Sequence, residues 1–515
     1  MDQQAAQSGQ DPAASAIRDV MDGRISRRQF VKRATILGLS GGAIAAIVAA
    51  CGSAATSASP GAASVAPSAA ASLAPSAAAS VAPSAAAVFD PKKYAGTKLS
   101  ILMTGSENDH RALGDKIAQL KDETGIELEI SAPALNALIP KTAQELAAPQ
   151  SAFEIVNYLG FLTTGYMKNG AFEQLNTLKD DPAETPPDWD FADFATANLN
   201  NVGIFDPATK AIGKGASLYG VPGLHSGSVV YFYRKDLFEA AGLQPAKTWD
   251  EFKAAAIKLN KPGEVAGCSF IGANDFSLAT VSWYTTFLTT GGKLMTGSPA
   301  TKDFKPNLNS REAVGALQYL IDLLPYAPKN VTAYGFPENV DGFSAGKIAQ
   351  MVFWSTIAGP VFNPDTSKVA DKTGVTPVPV ATGQTPRAIL GGWGVGIPKN
   401  ADPAKKAAAW RAITWMTSKA INNYEAEKYQ IDASRNSTYN DPALVAKFPY
   451  LPISGAANAG AHTIETSVLD DFFGMNASMN VEFNKALIGG QDAKTACANV
   501  QTLWEASLRK AGDLV

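Results

Sequence analysis

The stretch Lys98–Ser131, KLSILMTGSENDHRALGDKIAQLKDETGIELEIS, reads as strand, turn, helix and strand in succession. KLSILMT is rich in β-formers and GSEND has turn chemistry. In the helix that follows, Leu113, Ile117 and Leu120 share one face before Gly125 stops it. IELEIS is the second strand. The unit is therefore βαβ, which favours a mainly parallel sheet and an α/β fold class.

The alternation continues outward from this unit. FEIVNYLG is a further strand before a helix ending near Gly170. Thr248 and Glu251 in TWDEFKAAAIKL form a capping-box pattern, with Trp249, Phe252, Ala256 and Leu259 directed inward. In ADPAKKAAAWRAITWMTS, Asp402 and Pro403 are N-cap and first helical residue, and Ala409, Ala412, Ile413 and Met416 give the buried stripe. The last helix, near DAKTACANVQTLWEASLRK, is expected to bury Ala496, Val500, Leu503 and Trp504. LYGVP, GSVVYFYR, KIAQMVF, GVTPVPV and ILGGWGVGI supply strands between the helices.

Ahead of the folded body lies Arg24–Cys51, RISRRQFVKRATILGLSGGAIAAIVAAC. Its uncharged run from Ala34 to Ala50 has 17 residues, at the bottom of the range for spanning a membrane, and Gly38, Gly41 and Gly42 weaken it as a helix. Basic residues before a short apolar region that ends in small residues suit a cleavable export signal. Arg27 and Arg28 resemble the twin-arginine pair, and Val48–Cys51 resembles a lipobox, which makes Cys51 the lipidated first residue of the mature chain. Residues 1–50 are thus expected to be the signal, and 51–88 the lipidated cysteine and a disordered linker. That linker repeats SVAPSAAA, SLAPSAAA and SVAPSAAA, carries no charge from Gly52 to Val88, and has little to bury. The expected location is extracytoplasmic, anchored by lipid to the cell membrane.

The body has ample core-forming material: the chain is 46% hydrophobic and 18% charged. Removing residues 1–50 takes six basic and four acidic side chains and moves the formal net charge from −3 to −5. A nucleic-acid partner would call for a basic stripe instead. After Cys51 only Cys268 and Cys497 remain, either one disulfide or two buried thiols, the latter preferred.

LYGVPGLHSGSVVYFYRKDLFEAAGLQPAKTWDEFKAAAIKL carries a resemblance to the extracellular solute-binding proteins of bacterial ABC importers, the sugar-binding family that includes maltose-binding proteins. The shared features are a Tyr-Gly-Val-Pro strand, a Tyr-x-Lys-Asp-Leu-Phe segment and a Thr-Trp-Asp-Glu-Phe helix start. FSAGKIAQMVFWS, the region from GVTPVPV to TWMTS, and the opening βαβ agree in order, so the resemblance covers nearly the whole body. Arg234 stands where the family usually has asparagine, and YQIDASRNS matches the family's Pro-x-Arg stretch only loosely, so no role carries over to Arg435.

The resemblance implies a two-lobed periplasmic-binding-protein fold of type II, with ligand in the cleft between lobes. Lobe one would comprise 89–222 and 380–424, lobe two 223–379 and 425–515. Chain crossings are expected near Pro222–Val229, Gly374–Val380 and Ser418–Asp432. The implied function is capture of a carbohydrate, an oligosaccharide by preference, and its delivery to an ABC transporter permease by a monomeric binding protein.

A sugar offers an apolar C–H face and a rim of hydroxyls, so its site needs aromatic platforms and a few polar side chains. The family pattern places Tyr158, Phe161 and Trp393 in lobe one, with Gly391 and Gly392 letting ligand approach the backbone. Trp283, Tyr284 and Trp354 would serve lobe two, with core packing the alternative for the first two. Ser106, Glu107, Asn108, His225 and Ser226 are the polar candidates, although Glu107 would also suit the helix dipole behind it. Trp249, Trp410 and Trp504 fit core stripes. KDDPAETPPDWD reads as a solvated loop from which Asp188 and Trp189 could reach a rim.

No cofactor, metal site or catalytic residue is expected. There is no Cys-x-x-Cys or His-Glu-x-x-His, and His110, His225 and His462 have no metal-ligand spacing. GGWGVG does not complete a dinucleotide fingerprint, and GLHSG is not a nucleophile elbow. Two rival readings stand: an exported lipoprotein enzyme acting on carbohydrate, since paired carboxylates leave no fixed spacing in sequence, and a solute sensor subunit.

Overall fold

The computed structural model describes residues 88–515 apart from 107, 210, 216, 224, 276–277, 388, 462–468 and 470. The export and lipidation motifs at Arg27, Arg28 and Cys51 lie outside the described residues, as does Glu107.

In chain order, the elements that position the site begin with β1 (Lys98–Leu102), α1 (Asp109–Thr124), β2 (Glu127–Ser131), α2 (Leu135–Ala147) and β3 (Ile155–Leu159). β4 (Val221–Pro222), β5 (Val229–Arg234), α3 (Trp249–Leu259), α4 (Arg311–Leu323), β6 (Gln350–Trp354) and β7 (Thr373–Thr376) follow. β8 (Trp393–Gly396), α5 (Lys406–Met416), α6 (Lys419–Tyr429), α7 (Phe472–Leu487) and α8 (Ala493–Ala511) complete the set.

The first lobe is built on a sheet of order β2-β1-β3-β8-β4. β1 pairs in parallel with β2 and β3, as the opening βαβ unit dictates. β8 enters antiparallel to both β3 and β4, because it arrives from the other lobe. Helices cover both faces. Leu113 and Leu120 of α1 and Ala409, Trp410, Ile413 and Met416 of α5 pack with Leu99, Ile101 and Ile155, while Leu138 of α2 packs on the opposite face with Leu102 and Val156.

Local chemistry sets the element ends. Gly125 takes φ 72° and its N–H bonds the Lys121 carbonyl, closing α1 where the sequence predicts. At α3, Thr248 Oγ1 accepts from the Glu251 N–H at 3.2 Å, and a Glu251 carboxylate oxygen accepts from the Thr248 N–H at 3.1 Å. The predicted capping box is present.

The second lobe has a smaller sheet of order β6-β5-β7, and here every pairing is antiparallel. GVTPVPV yields a strand only at Thr373–Thr376, since the prolines that follow cannot donate to a ladder. α3, α4, α7 and α8 pack around this sheet in one continuous core. α8 buries Ala496, Val500 and Trp504 as expected, but Leu503 is exposed. The stripe runs through 497, 500, 504 and 508, and position 503 falls to its solvent side. Cys268 and Cys497 are both buried free thiols.

Three stretches pass between the lobes side by side. Gly391 N–H bonds the Gly227 carbonyl at 2.8 Å, Ser228 bridges Leu390, and Ser226 N–H bonds the Asp432 carbonyl at 3.1 Å. The 225–228 segment therefore lies between 390–393 and 432. The second pass comes later than Gly374–Val380, because Val380 and Ala381 still donate to the Lys247 and Thr289 carbonyls of the second lobe.

Candidate functional site

Loops at the ends of β1 and β6 and the first and third passes converge on one cleft of about 170 Å³. From the first lobe come Ser106, Asn108 and Asp109; from the second, Phe336, Thr356, Ile357 and Pro360; from the passes and the end of α6, His225, Tyr429, Ile431 and Asp432. The loop after β1 is shaped by its own hydroxyls. Thr104 Oγ1 accepts from the Ser106 N–H at 3.2 Å, and Ser106 Oγ accepts from the Leu135 N–H at 2.9 Å, tying the loop to the start of α2. Asp109 follows as the first residue of α1, where a carboxylate is favoured by the helix dipole.

Asp109 and His225 are both buried, with Oδ1 and Nδ1 2.7 Å apart. Behind them sits Glu425 of α6, also buried. Neither of its carboxylate oxygens has a partner among the described residues, and burial beside Asp109 pushes its carboxyl well above the usual range. Asp432, on the third pass, accepts from Ser355 Oγ and, at 2.9 Å, from Tyr439 Oη. Burial outweighs those bonds and pushes Asp432 up to about 6. Tyr424 and Tyr429 both donate to Asp115 of α1, at 2.7 and 2.6 Å, which fixes the end of α6 against the cleft. Phe336, Ile357, Pro360 and Ile431 add apolar surface to a lining that also carries the Asp109 and Asp432 carboxylates. Such a cavity can hold a small polar molecule with hydroxyls to give and a C–H face to cover.

The predicted site residues divide among several places. Ser106, Asn108 and His225 line the cleft. Ser226 is one residue away in the first pass, its Oγ donating to the Ala433 carbonyl and 3.2 Å from Tyr439 Oη. Gly391 lies against the Trp354 ring: a Cβ there would come within 3.1 Å of it. Gly392 has φ 98°, and its carbonyl accepts from the Gly160 N–H at 3.0 Å.

The other aromatics are in cores. Tyr158 is 1% exposed, its hydroxyl donating to the Val202 carbonyl and its ring filling space left by Gly220 and Gly394, where a Cβ would meet it at 2.1 and 2.6 Å. Trp393 packs in the same first-lobe cluster, with its ring centroid 6.3 Å from that of the cleft residue His225. Trp283 donates to the Ala313 carbonyl at 3.0 Å and stacks on Phe287, and Tyr284 is buried beside it. Phe161 leaves the first lobe to pack against Phe472 of the second, ring centroids 5.2 Å apart. Trp189 is interior rather than at a rim, packed against Phe194 and Trp410. Arg435 is a buried clamp: Nε donates to the Thr417 carbonyl and a terminal nitrogen to the Asp190 carbonyl.

Sequence reasoning missed Asp109, Phe336, Tyr429 and Asp432. Asp109 had a signal, since it directly follows three residues already chosen. Phe336 and Asp432 reach the cleft only through the tertiary fold.

A model of the family described as bacterial extracellular solute-binding protein matches residues 105–423. A Sinorhizobium fredii protein described as a probable amino-acid ABC transporter periplasmic-binding protein is 27% identical over 430 residues, 82% of this chain and 92% of that one. A mannitol-binding protein of Pseudomonas aeruginosa is 26% identical over 326 residues, 58% of this chain and 70% of its own length. Among solved structures, a solute-binding protein of an Agrobacterium radiobacter ABC transporter, in complex with ribitol, superposes with TM-score 0.69 at 26% identity, covering 79% of this chain and 98% of that one.

Proposed function

Because the chain belongs to the bacterial extracellular solute-binding protein family, whose members work outside the cytoplasm with ABC transporter permeases, we propose that its interlobe cleft captures a monosaccharide or sugar alcohol. The observation that carries this reading is the cleft itself. At about 170 Å³ it is smaller than the roughly 300–1,000 Å³ of sites for drug-sized ligands, and its lining combines carboxylates with apolar side chains. A single sugar unit suits that volume better than an oligosaccharide. The ribitol complex and the mannitol-binding relative are consistent with it. An amino-acid ligand, suggested by the Sinorhizobium relative, would need a cation for its carboxylate, and no lysine or arginine is among the described residues lining the cleft.

Thermal unfolding against a panel of sugar alcohols, monosaccharides and maltose tests the reading. Ligand at about 100 times its dissociation constant adds roughly 2.7 kcal/mol, seen as a rise in midpoint of a few degrees. Silence across the panel would sink it.

Asp109, His225 and Asp432 would also suit a hydrolase. Capture alone predicts that the sugar is recovered unchanged, whereas an enzyme would return new reducing ends. Co-purification with permease subunits separates import from sensing.

We further propose export through Arg27 and Arg28, lipidation at Cys51, and a monomer tethered through that cysteine. Radiolabelled fatty acid should enter the wild-type protein and not Cys51→Ala.

A further inference from the structure

Two carboxylates line the cleft, and their surroundings differ. Asp109 Oδ1 lies 2.7 Å from His225 Nδ1. Asp432 accepts from neutral donors, the hydroxyls of Ser355 and Tyr439 and the side-chain amide of Asn458, and the basic group acting on it is the same His225. Glu425 adds a third acid behind the pair, facing Asp109 and His225. Three acids thus surround one imidazole.

A buried carboxylate without a cation of its own is costly, and the cost is relieved in one of two ways: it takes a proton, or a bound partner brings positive charge. Glu425, away from the cleft, is driven toward the first course: burial and the neighbouring Asp109 hold its carboxyl well above the usual range. Asp432 stands at the cleft wall, and above about pH 6 its proton is gone. Its hydrogen bonds offset part of the cost, and a cationic group on a bound ligand would offset the rest.

We propose that the cleft is built for a hydroxylated ligand bearing a protonated amine, an amino-polyol or amino sugar, with Asp432 receiving the ammonium. The inference rests on the reading of the cleft as the solute site. An N⁺–H···O⁻ bond to a desolvated carboxylate is shorter and stronger than a hydroxyl bond. Ser106 and Asn108 on the facing lobe would take the hydroxyls.

Three probes share a carbon skeleton and differ at one end: D-glucitol, D-glucamine and D-gluconate. Calorimetric titration of the whole protein at about pH 8 should find D-glucamine about tenfold tighter than D-glucitol, with D-gluconate weakest. Toward about pH 5 that preference should shrink as Asp432 takes a proton. In Asp432→Asn the amine and the alcohol should bind alike; the pH series needs no variant, so a poorly folding substitution leaves the test intact. D-glucitol binding as tightly as D-glucamine at about pH 8 would overturn the amine assignment and leave the solute-binding reading standing. Failure of all three to bind would remove the small-polyol reading, and this inference with it.

Discussion

Asp432 also bears on stability, and its sign is the reverse of an ordinary salt-bridged aspartate. Its carboxyl sits at about 6 in the folded protein and near ~3.9 when unfolded, so folding favours the protonated form. That stabilisation is fully present below the unfolded value and is lost as pH rises through about 6; a shift of about two pH units corresponds to roughly 3 kcal/mol. Asp432→Asn should therefore gain on the wild type between about pH 4 and pH 8, measured as urea midpoints at the two ends. An equal difference at both ends would mean that the carboxyl does not titrate in this way. Tyr158 shows the opposite lesson for a neutral side chain. Its placement after a strand suggested a cleft platform, yet Gly220 and Gly394 leave a slot that its ring fills, and the phenol finds a carbonyl inside. An aromatic ring goes where small neighbours make room, and those neighbours are far away in sequence.

At the scale of elements, α3 offers the cleanest test. Thr248→Ala removes one half of a capping box that is fully formed, and should cost about 0.5–2 kcal/mol in chemical unfolding while leaving ligand affinity unchanged. Caps, stop glycines and apolar stripes were legible in the sequence because each is settled within a few residues. α1, α3, α5 and their buried faces follow from that local chemistry, except that Ile117 of α1 is only partly buried. Leu503 failed because a stripe's edge is decided by the neighbouring helix and not by the period alone. The site was half legible for the same reason. Ser106 and Asn108 belong to the loop that every βαβ unit presents at its strand end, whereas Phe336 and Asp432 come from segments that no local pattern aims at the cleft. The second pass was placed too early because strand-like GVTPVPV ends in prolines, and the chain continues along the second lobe before turning back.

For the molecule as a whole, the contact of Phe161 with Phe472 bears on opening. Phe161 is 4% exposed and joins the second lobe's core, so separating the lobes re-exposes a ring whose burial is worth about 1.5–3 kcal/mol. Phe161→Ala should shift the unliganded protein toward the open form, with a larger radius of gyration by X-ray scattering, and should weaken ligand binding by about tenfold or more. Unchanged scattering and affinity would place the contact outside the closing motion. The returning strand β8 has a different consequence, in the order of manufacture. Among the described residues β4 pairs in the sheet with β8 alone, and β8 also covers the edge of β3. Chains emerge from the ribosome N-terminus first, so the lobe that begins first waits for residues made after the other lobe's sheet. Until then β3 presents a bare edge, the kind that recruits other chains into aggregates. A chain cut short between β7 and β8 therefore damages the lobe that was made first.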